Sequence, residues 1–412
     1  MRHVLYGRCV RCGRTYEAVP DLVNCACGGI LDIVYDYDYI KTVLTKETLR
    51  GRRRTMWRYR ELLPVEESTA PTPLRVGWSP LYEEPRLAER LGLKGLWVKD
   101  DGQNPTGALK DRASAMAVAK AREAGAEVIA CSSTGNAASS LAGNAAAAGL
   151  KTYIFVPSRA PKGKVAQLMT FGATVISVQG SYEETFELSK AAIERWGWYN
   201  RNAAINPYLS EGKKTVALEI LEQLDWQVPD YIAISVGDGC TIAGLWKGLK
   251  DLYAIGFIDR LPRLISAQAA GCCPINRAIE EGADWRPMEE NTFADSIAVG
   301  VPRNPDKALQ AIRESQGLVV NVSDQEIMDA QQLLGRTCGV FGEPAGVTGT
   351  AGVKKLCEQG LLGKEDTVVS VVTGNGLKDV ANAIKACGEP IAIPGTMDAL
   401  LAAFAARQVV VS

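Results

Sequence analysis

Tyr231-Ile232-Ala233-Ile234-Ser235-Val236-Gly237-Asp238-Gly239-Cys240-Thr241 is the stretch that decides the fold class. A short apolar, β-branched run ends in two closely spaced glycines, and an amphipathic stretch over 241–255 follows. A strand, a tight turn and a helix in that order build parallel sheets covered by helices. The same rhythm recurs outward from this point. Strands are expected over 96–99, 128–131, 153–156, 174–178, 263–267 and 367–372. Helices are expected over 86–91, 111–124, 136–149, 163–171, 182–196, 214–224, 324–336, 346–358 and 377–387. The chain therefore reads as α/β with mainly parallel sheets flanked by helices.

Composition narrows the function. The 412 residues carry 46 Lys+Arg against 47 Asp+Glu, a net charge of -1, and 47% are apolar. Near-neutral charge argues against a nucleic-acid or membrane-surface partner, which would need a basic excess. The apolar runs are too short to span a bilayer. Met1-Arg2-His3 leads into no signal-peptide apolar segment, so a cytoplasmic location is expected. The single histidine, His3, weighs against a Ser-His-Asp hydrolase and a His-ligated metalloenzyme. Eleven cysteines, an odd number spread along the chain, read as reduced thiols.

Four of those thiols stand apart. Cys9-Val10-Arg11-Cys12 and Cys25-Ala26-Cys27 form two knuckles, the second tighter than the CxxC usual in zinc ribbons. They read either as a structural zinc site or as a ribbon packed without metal. Residues 1–45 are expected to form this Cys-rich element, 46–124 and 216–387 a large domain, 125–215 a small domain, and 388–412 a helical extension with an apolar helix over 397–406. Trp57-Arg58-Tyr59-Arg60 reads as a solvated segment.

Chemistry concentrates at four loops. Cys131-Ser132-Ser133-Thr134-Gly135-Asn136 opens an Ala-rich helix, and its hydroxyls exceed what a cap needs, so a carboxylate or phosphate suits it. Gly237-Asp238-Gly239-Cys240-Thr241 lets the backbone approach a phosphate, with a plain tight turn as the alternative reading of the residues alone. It is neither GxGxxG nor a Walker loop. Thr373-Gly374-Asn375-Gly376 follows a strand, with a hydroxyl available for a ring nitrogen or substrate atom. Asn104-Pro105-Thr106-Gly107-Ala108-Leu109-Lys110-Asp111-Arg112 sets a lysine among apolar neighbours just before a helix. A lysine desolvated there attacks carbonyls; read bare, Lys-Asp-Arg is a charged helix start. Lysine, phosphate cup, hydroxyl and carboxylate cup together are the parts a pyridoxal phosphate enzyme needs. Cys131, Cys272 and Cys273 read as small buried hydrophobes; Cys240, at a helix N-terminus, is the thiol whose pKa is expected to fall.

Asn104–Arg112, Ser133–Asn136 and Thr373–Asp379 resemble the signatures of fold-type II pyridoxal-phosphate enzymes, specifically the threonine synthase family. Trp57–Pro64, Gly163–Gln167, Glu211–Thr215 and Glu343-Pro344-Ala345 extend the resemblance in consistent order over about 55–385. It implies a two-domain, tryptophan-synthase-β-like architecture and a lyase acting on O-phosphohomoserine and water to give threonine and phosphate. It also implies a homodimer. Lys110 would carry the cofactor as a Schiff base and move protons, and Asn136 would meet the phenolic oxygen. Gly237, Asp238, Gly239, Cys240 and Thr241 would cradle the phosphate, Thr373 would meet the ring nitrogen, and Ser133, Thr134 and Gly135 would hold the substrate carboxylate.

The chain also departs from the family. Ala203, Ala204 and Leu209 stand where the family supplies an Asn-Ser pair and an arginine to the substrate phosphate. Lys164, Lys213, Arg201 and Arg159 are the candidate replacements. These departures keep a second reading open: β-elimination or β-replacement on serine, threonine or O-phosphoserine.

Overall fold

The computed structural model describes residues 1–158, 160 and 162–407; Arg159 lies outside them. The first unit is a small antiparallel sheet of β1 (Val4–Cys9), β2 (Thr15–Tyr16) and β3 (Leu31–Tyr35), ordered β2-β1-β3. The chain then forms β4 (Leu81–Glu83) and β5 (Gly95–Asp100). Next come β6 (Val128–Ser132), β7 (Lys151–Pro157), β8 (Thr174–Val178) and β9 (Tyr199–Asn200). It ends its strands with β10 (Tyr231–Ser235), β11 (Arg263–Ala269), β12 (Leu318–Val322) and β13 (Thr367–Val372). Two further sheets result: six strands in the order β12-β11-β10-β13-β5-β4, and four in the order β8-β7-β6-β9. Only the edge strand β4 runs antiparallel in these two sheets.

Burial on both faces explains the continuous apolar strands. Along β10, Ile232 and Ile234 enter one core cluster, while Tyr231 and Ala233 enter the cluster on the opposite face. The four-stranded sheet has its own core around Ile129, Cys131, Leu141, Ile154 and Val156. Helix Lys110–Glu123 lends Ala113, Ala117, Val118 and Ala121 to that core, so it joins the two sheets.

The segment read as solvated is instead interior. Met56–Leu62 is a 3-10 helix with Arg58, Tyr59 and Leu62 buried. Arg58 places Nε and Nη2 at 2.9 and 2.6 Å from the Glu222 carboxylate. Sequence spacing shows the charge but not its distant partner. The apolar helix Met397–Ala406 buries no residue in the chain. Among the described residues no helix is long and apolar enough to cross a membrane.

The N-terminal ribbon is tied to the body by polar contacts. Tyr35 Oη donates to Glu211 Oε2 at 2.5 Å, and Lys307 Nζ lies 2.6 Å from Asp32. Within it the sulfurs of Cys9, Cys12, Cys25 and Cys27 all lie within 4.8 Å of one another. A tetrahedral site with Zn–S near 2.3 Å has sulfurs about 3.8 Å apart. The observed Cys9–Cys27, Cys12–Cys25 and Cys12–Cys27 separations of 3.5, 3.6 and 3.6 Å suit that set.

Candidate active site

Parallel strands present their carboxyl ends on one side, and ligands collect there. The ends of β10 and β13, the start of helix Lys110–Glu123 and the start of helix Asn136–Ala148 meet in one cleft between the two sheets. It holds about 750 Å³ of empty space, counting the part open to solvent. Lys110, Asn136, Gly237, Asp238, Gly239, Cys240, Thr241 and Thr373 all line it, drawn from loops up to 263 residues apart (373 minus 110).

Lys110 is fixed by backbone. Ala108 bridges Gly374, Leu109 N–H donates to Thr373 O at 2.9 Å, and Asn375 N–H to Gly107 O at 2.9 Å. Asp111 then accepts Thr106 N–H and Oγ1–H at 2.8 and 2.9 Å, closing the loop that enters the helix. The lysine and the hydroxyl of Thr373 therefore share one rigid junction.

The turn after β10 is an anion cup. Gly239 takes φ +82°, a conformation glycine tolerates, and stands at the start of helix Cys240–Ala254 without a side-chain cap. None of the backbone N–H groups from Gly237 to Ile242 finds an acceptor among the described residues. Unpaired donors at a helix N-terminus call for an anion there. A phosphate fits, so the residues present suit pyridoxal phosphate.

Asn136 sits on the opposite wall and donates its amide to Glu343 Oε1 at 2.6 Å. Glu343 stands at the cap position of helix Pro344–Glu358, yet its carboxylate leaves that helix uncapped. Burial pushes its carboxyl up to about 7, opposed by the Asn136 hydrogen bond and the cations Lys378, Lys110 and Lys164. A side chain at Gly374 would run into the same carboxylate. The sequence quoted Glu343 only within the resemblance; a Glu before Pro reads as a helix start, which hid its role as a wall of the cleft.

Thr134 and Gly135 line a second cavity that meets the cleft at Asn136, together with Lys164, Gln167 and Lys378. Ser133 lines neither, and its Oγ accepts Gly135 N–H at 3.2 Å. Of the positions that depart from the family pattern, Ala203 lines the cleft, while Leu209 is buried in the core of the four-stranded sheet. Lys164 is engaged with Asp295 at 2.5 Å. Arg201 and Lys213 line the cleft and are both buried. Burial lowers Lys213 to about 8, with Lys110 and Arg201 adding repulsion. Cys240 corrects an expectation: burial raises its pKa, outweighing nearby Lys213 and Lys110. Burial likewise pushes Cys131 up to about 11.

Residues 72–374 match the family described as pyridoxal-phosphate dependent enzyme. A threonine synthase of Methanocaldococcus jannaschii is 42% identical over 396 residues, covering 95% of this chain and 98% of the relative. One of Methanosarcina acetivorans is 41% identical over 397 residues, covering 95% and 97%. The chain belongs to the threonine synthase family. Like other threonine synthases it is thus a pyridoxal-phosphate-dependent lyase, and the fold agrees. Maize serine racemase superposes with TM-score 0.66 at 23% identity, over 75% of this chain and 91% of that one. A threonine deaminase of Solanum lycopersicum gives 0.64 at 22%, over 75% and 86%. These two likenesses carry the fold-type II architecture alone.

Proposed function

We propose that this chain converts O-phosphohomoserine and water to threonine and inorganic phosphate, with Lys110 holding the cofactor. The observation that carries the reading is the single cleft that joins Lys110, the unpaired N–H cup at Gly237–Ile242, Asn136 and Thr373. When bound, pyridoxal phosphate supplies an electron sink that acidifies the substrate's α and β carbons.

The chain's own groups do the rest. The Gly237–Thr241 backbone would hold the cofactor phosphate. Asn136, which donates one amide hydrogen to Glu343, would offer the other to the cofactor's phenolic oxygen. The Thr373 hydroxyl would give the ring nitrogen a neutral partner that does not enforce ring protonation. The loop Ser133-Thr134-Gly135 takes the substrate carboxylate; Ser133 contributes by shaping Gly135 through its hydrogen bond. Lys110 takes and returns the protons at the α and β carbons, and the freed phosphate serves as a second carrier. His3 takes no part: its Nε2 lies 2.7 Å from Leu63 O beside the ribbon. Residues 125–215 act as the small domain that closes on the substrate and excludes water until addition. The chain works as a cytoplasmic homodimer, for which exposed Leu377, Val380, Ile384, Met397 and Leu401 offer an apolar contact.

The test is phosphate release and threonine formation when the purified yellow protein meets O-phosphohomoserine. Equal amounts of both products support the reading. A yellow protein that releases no phosphate overturns it and directs attention to serine, threonine and O-phosphoserine.

A further inference from the structure

Most deeply buried cations in this chain have a carboxylate partner. Lys99 lies 3.0 Å from Glu219, Arg112 2.7 Å from Asp101, and Lys214 2.6 Å from Asp251. Arg201 and Lys213 break the pattern. They are 2% and 3% exposed, and neither has a carboxylate within 4.0 Å among the described residues. Arg201 directs Nε and Nη2 at Ser114 Oγ, 3.2 and 3.1 Å away, which anchors one edge of the guanidinium. Lys213 Nζ donates to no acceptor among the described residues. Both line the cleft with Ala203 and Lys110.

Two buried like charges that repel each other within one cleft are costly unless an anion offsets them. The cofactor phosphate already has its own donors in the N–H cup. The site therefore has cationic capacity for a second anion. We infer that Arg201 and Lys213 seat the phosphate group of the substrate, a phosphorylated hydroxy amino acid, in place of the side chains missing at Ala203, Ala204 and Leu209. This rests on the O-phosphohomoserine reading. Ala203 leaves room beside the pair, and the fork of Arg201 suits two phosphate oxygens. As the γ C–O bond breaks, its electron pair leaves on the phosphate, and the two cations hold that added charge.

The experiment uses the holoenzyme and the variants Arg201→Gln, Arg201→Lys and Lys213→Gln. Readouts are visible absorbance for cofactor retention, kcat and KM for O-phosphohomoserine, and the affinity of inorganic phosphate. Expected results are full cofactor retention, a 10–100-fold weaker phosphate affinity and a matching loss in kcat/KM in each Gln variant, with partial recovery in Arg201→Lys. Phosphate affinity and KM within twofold of the parent overturn the inference. So does colourless purification of a folded variant, because the cations would then serve the cofactor. If a Gln variant fails to fold, the parent decides: inorganic phosphate that raises its thermal midpoint supports the seat, and no shift overturns it. A parent inactive on O-phosphohomoserine that still binds phosphate through Arg201 defeats the proposed reaction and leaves the seat standing.

Discussion

Asn136 and Glu343, 207 residues apart in the chain, meet at 2.6 Å across the mouth of the cleft. One belongs to the helix after β6 and the other to the helix that runs alongside β13. Their bond is a direct polar link between the walls contributed by the two sheets.

Glu343 should make the cofactor-free protein sensitive to pH. Its folded pKa is raised to about 7 against an ordinary 4.5, so its contribution is fully present below about 4.5 and is lost as pH rises through about 7. The loss between pH 5 and 8 is on the order of 3 kcal/mol at most. Urea unfolding of Glu343→Gln, which keeps an acceptor for Asn136, should show the parent losing stability relative to the variant over that interval. Parallel curves would remove Glu343 as the titrating group.

Cys240→Ser should retain the cofactor. The thiol is buried with its pKa raised, and the cup is made by backbone N–H groups that the substitution leaves alone. Visible absorbance of the purified variant checks this; a colourless protein would mean that the side chain shapes the cup.

Arg112→Met should destabilise the fold by about 3–5 kcal/mol. Arg112 joins Asp101 and Glu219 inside the molecule, and its removal leaves Asp101 with no cation within 4.0 Å among the described residues. Thermal or urea denaturation against the parent provides the number, and a loss under 1 kcal/mol would show that the network relaxes.

The ribbon should bind one zinc per chain. Elemental analysis of protein purified under reductant should find it, and Cys12→Ser with Cys27→Ser should abolish it while the cofactor colour remains. The four sulfurs lie within 4.8 Å of one another but belong to the ribbon, not to the cleft. Full stability and no metal in the parent would leave a metal-free ribbon.

Local pattern carried most of the architecture. The strands expected over 174–178 and 367–372 are Thr174–Val178 and Thr367–Val372, and the helix over 182–196 is Tyr182–Trp196. The expected helix over 214–224 is Thr215–Gln223, and a short separate helix, Tyr208–Lys213, precedes it outside the expected range. Strand β12 lies outside the expected strands, although Val319 and Val320 carry its signal. β9 has two residues, too few for any alternation to appear. At the cleft, loops rich in Gly, Ser and Thr were legible because their composition exceeds what turns need. Arg201 and Lys213 stood among four candidate cations without being singled out, and Glu343 stood only within the resemblance. Their significance lies in partners they have or lack across the fold, and a linear reading does not contain that.

The four-stranded sheet begins on β6 and ends on β9, and these two are hydrogen-bonded neighbours, with Ile129 opposite Tyr199 and Ala130 opposite Asn200. The chain thus goes in and comes out about 4.8 Å apart. Topologically the stretch between is a cassette hung on a two-strand neck. It carries Asn136, whereas the junction of Lys110 and Thr373 lies outside it, and helix Lys110–Glu123 packs into its core. It is also the piece of this chain that could be exchanged for a relative's with only two splices, transferring one wall of the cleft and leaving the other untouched.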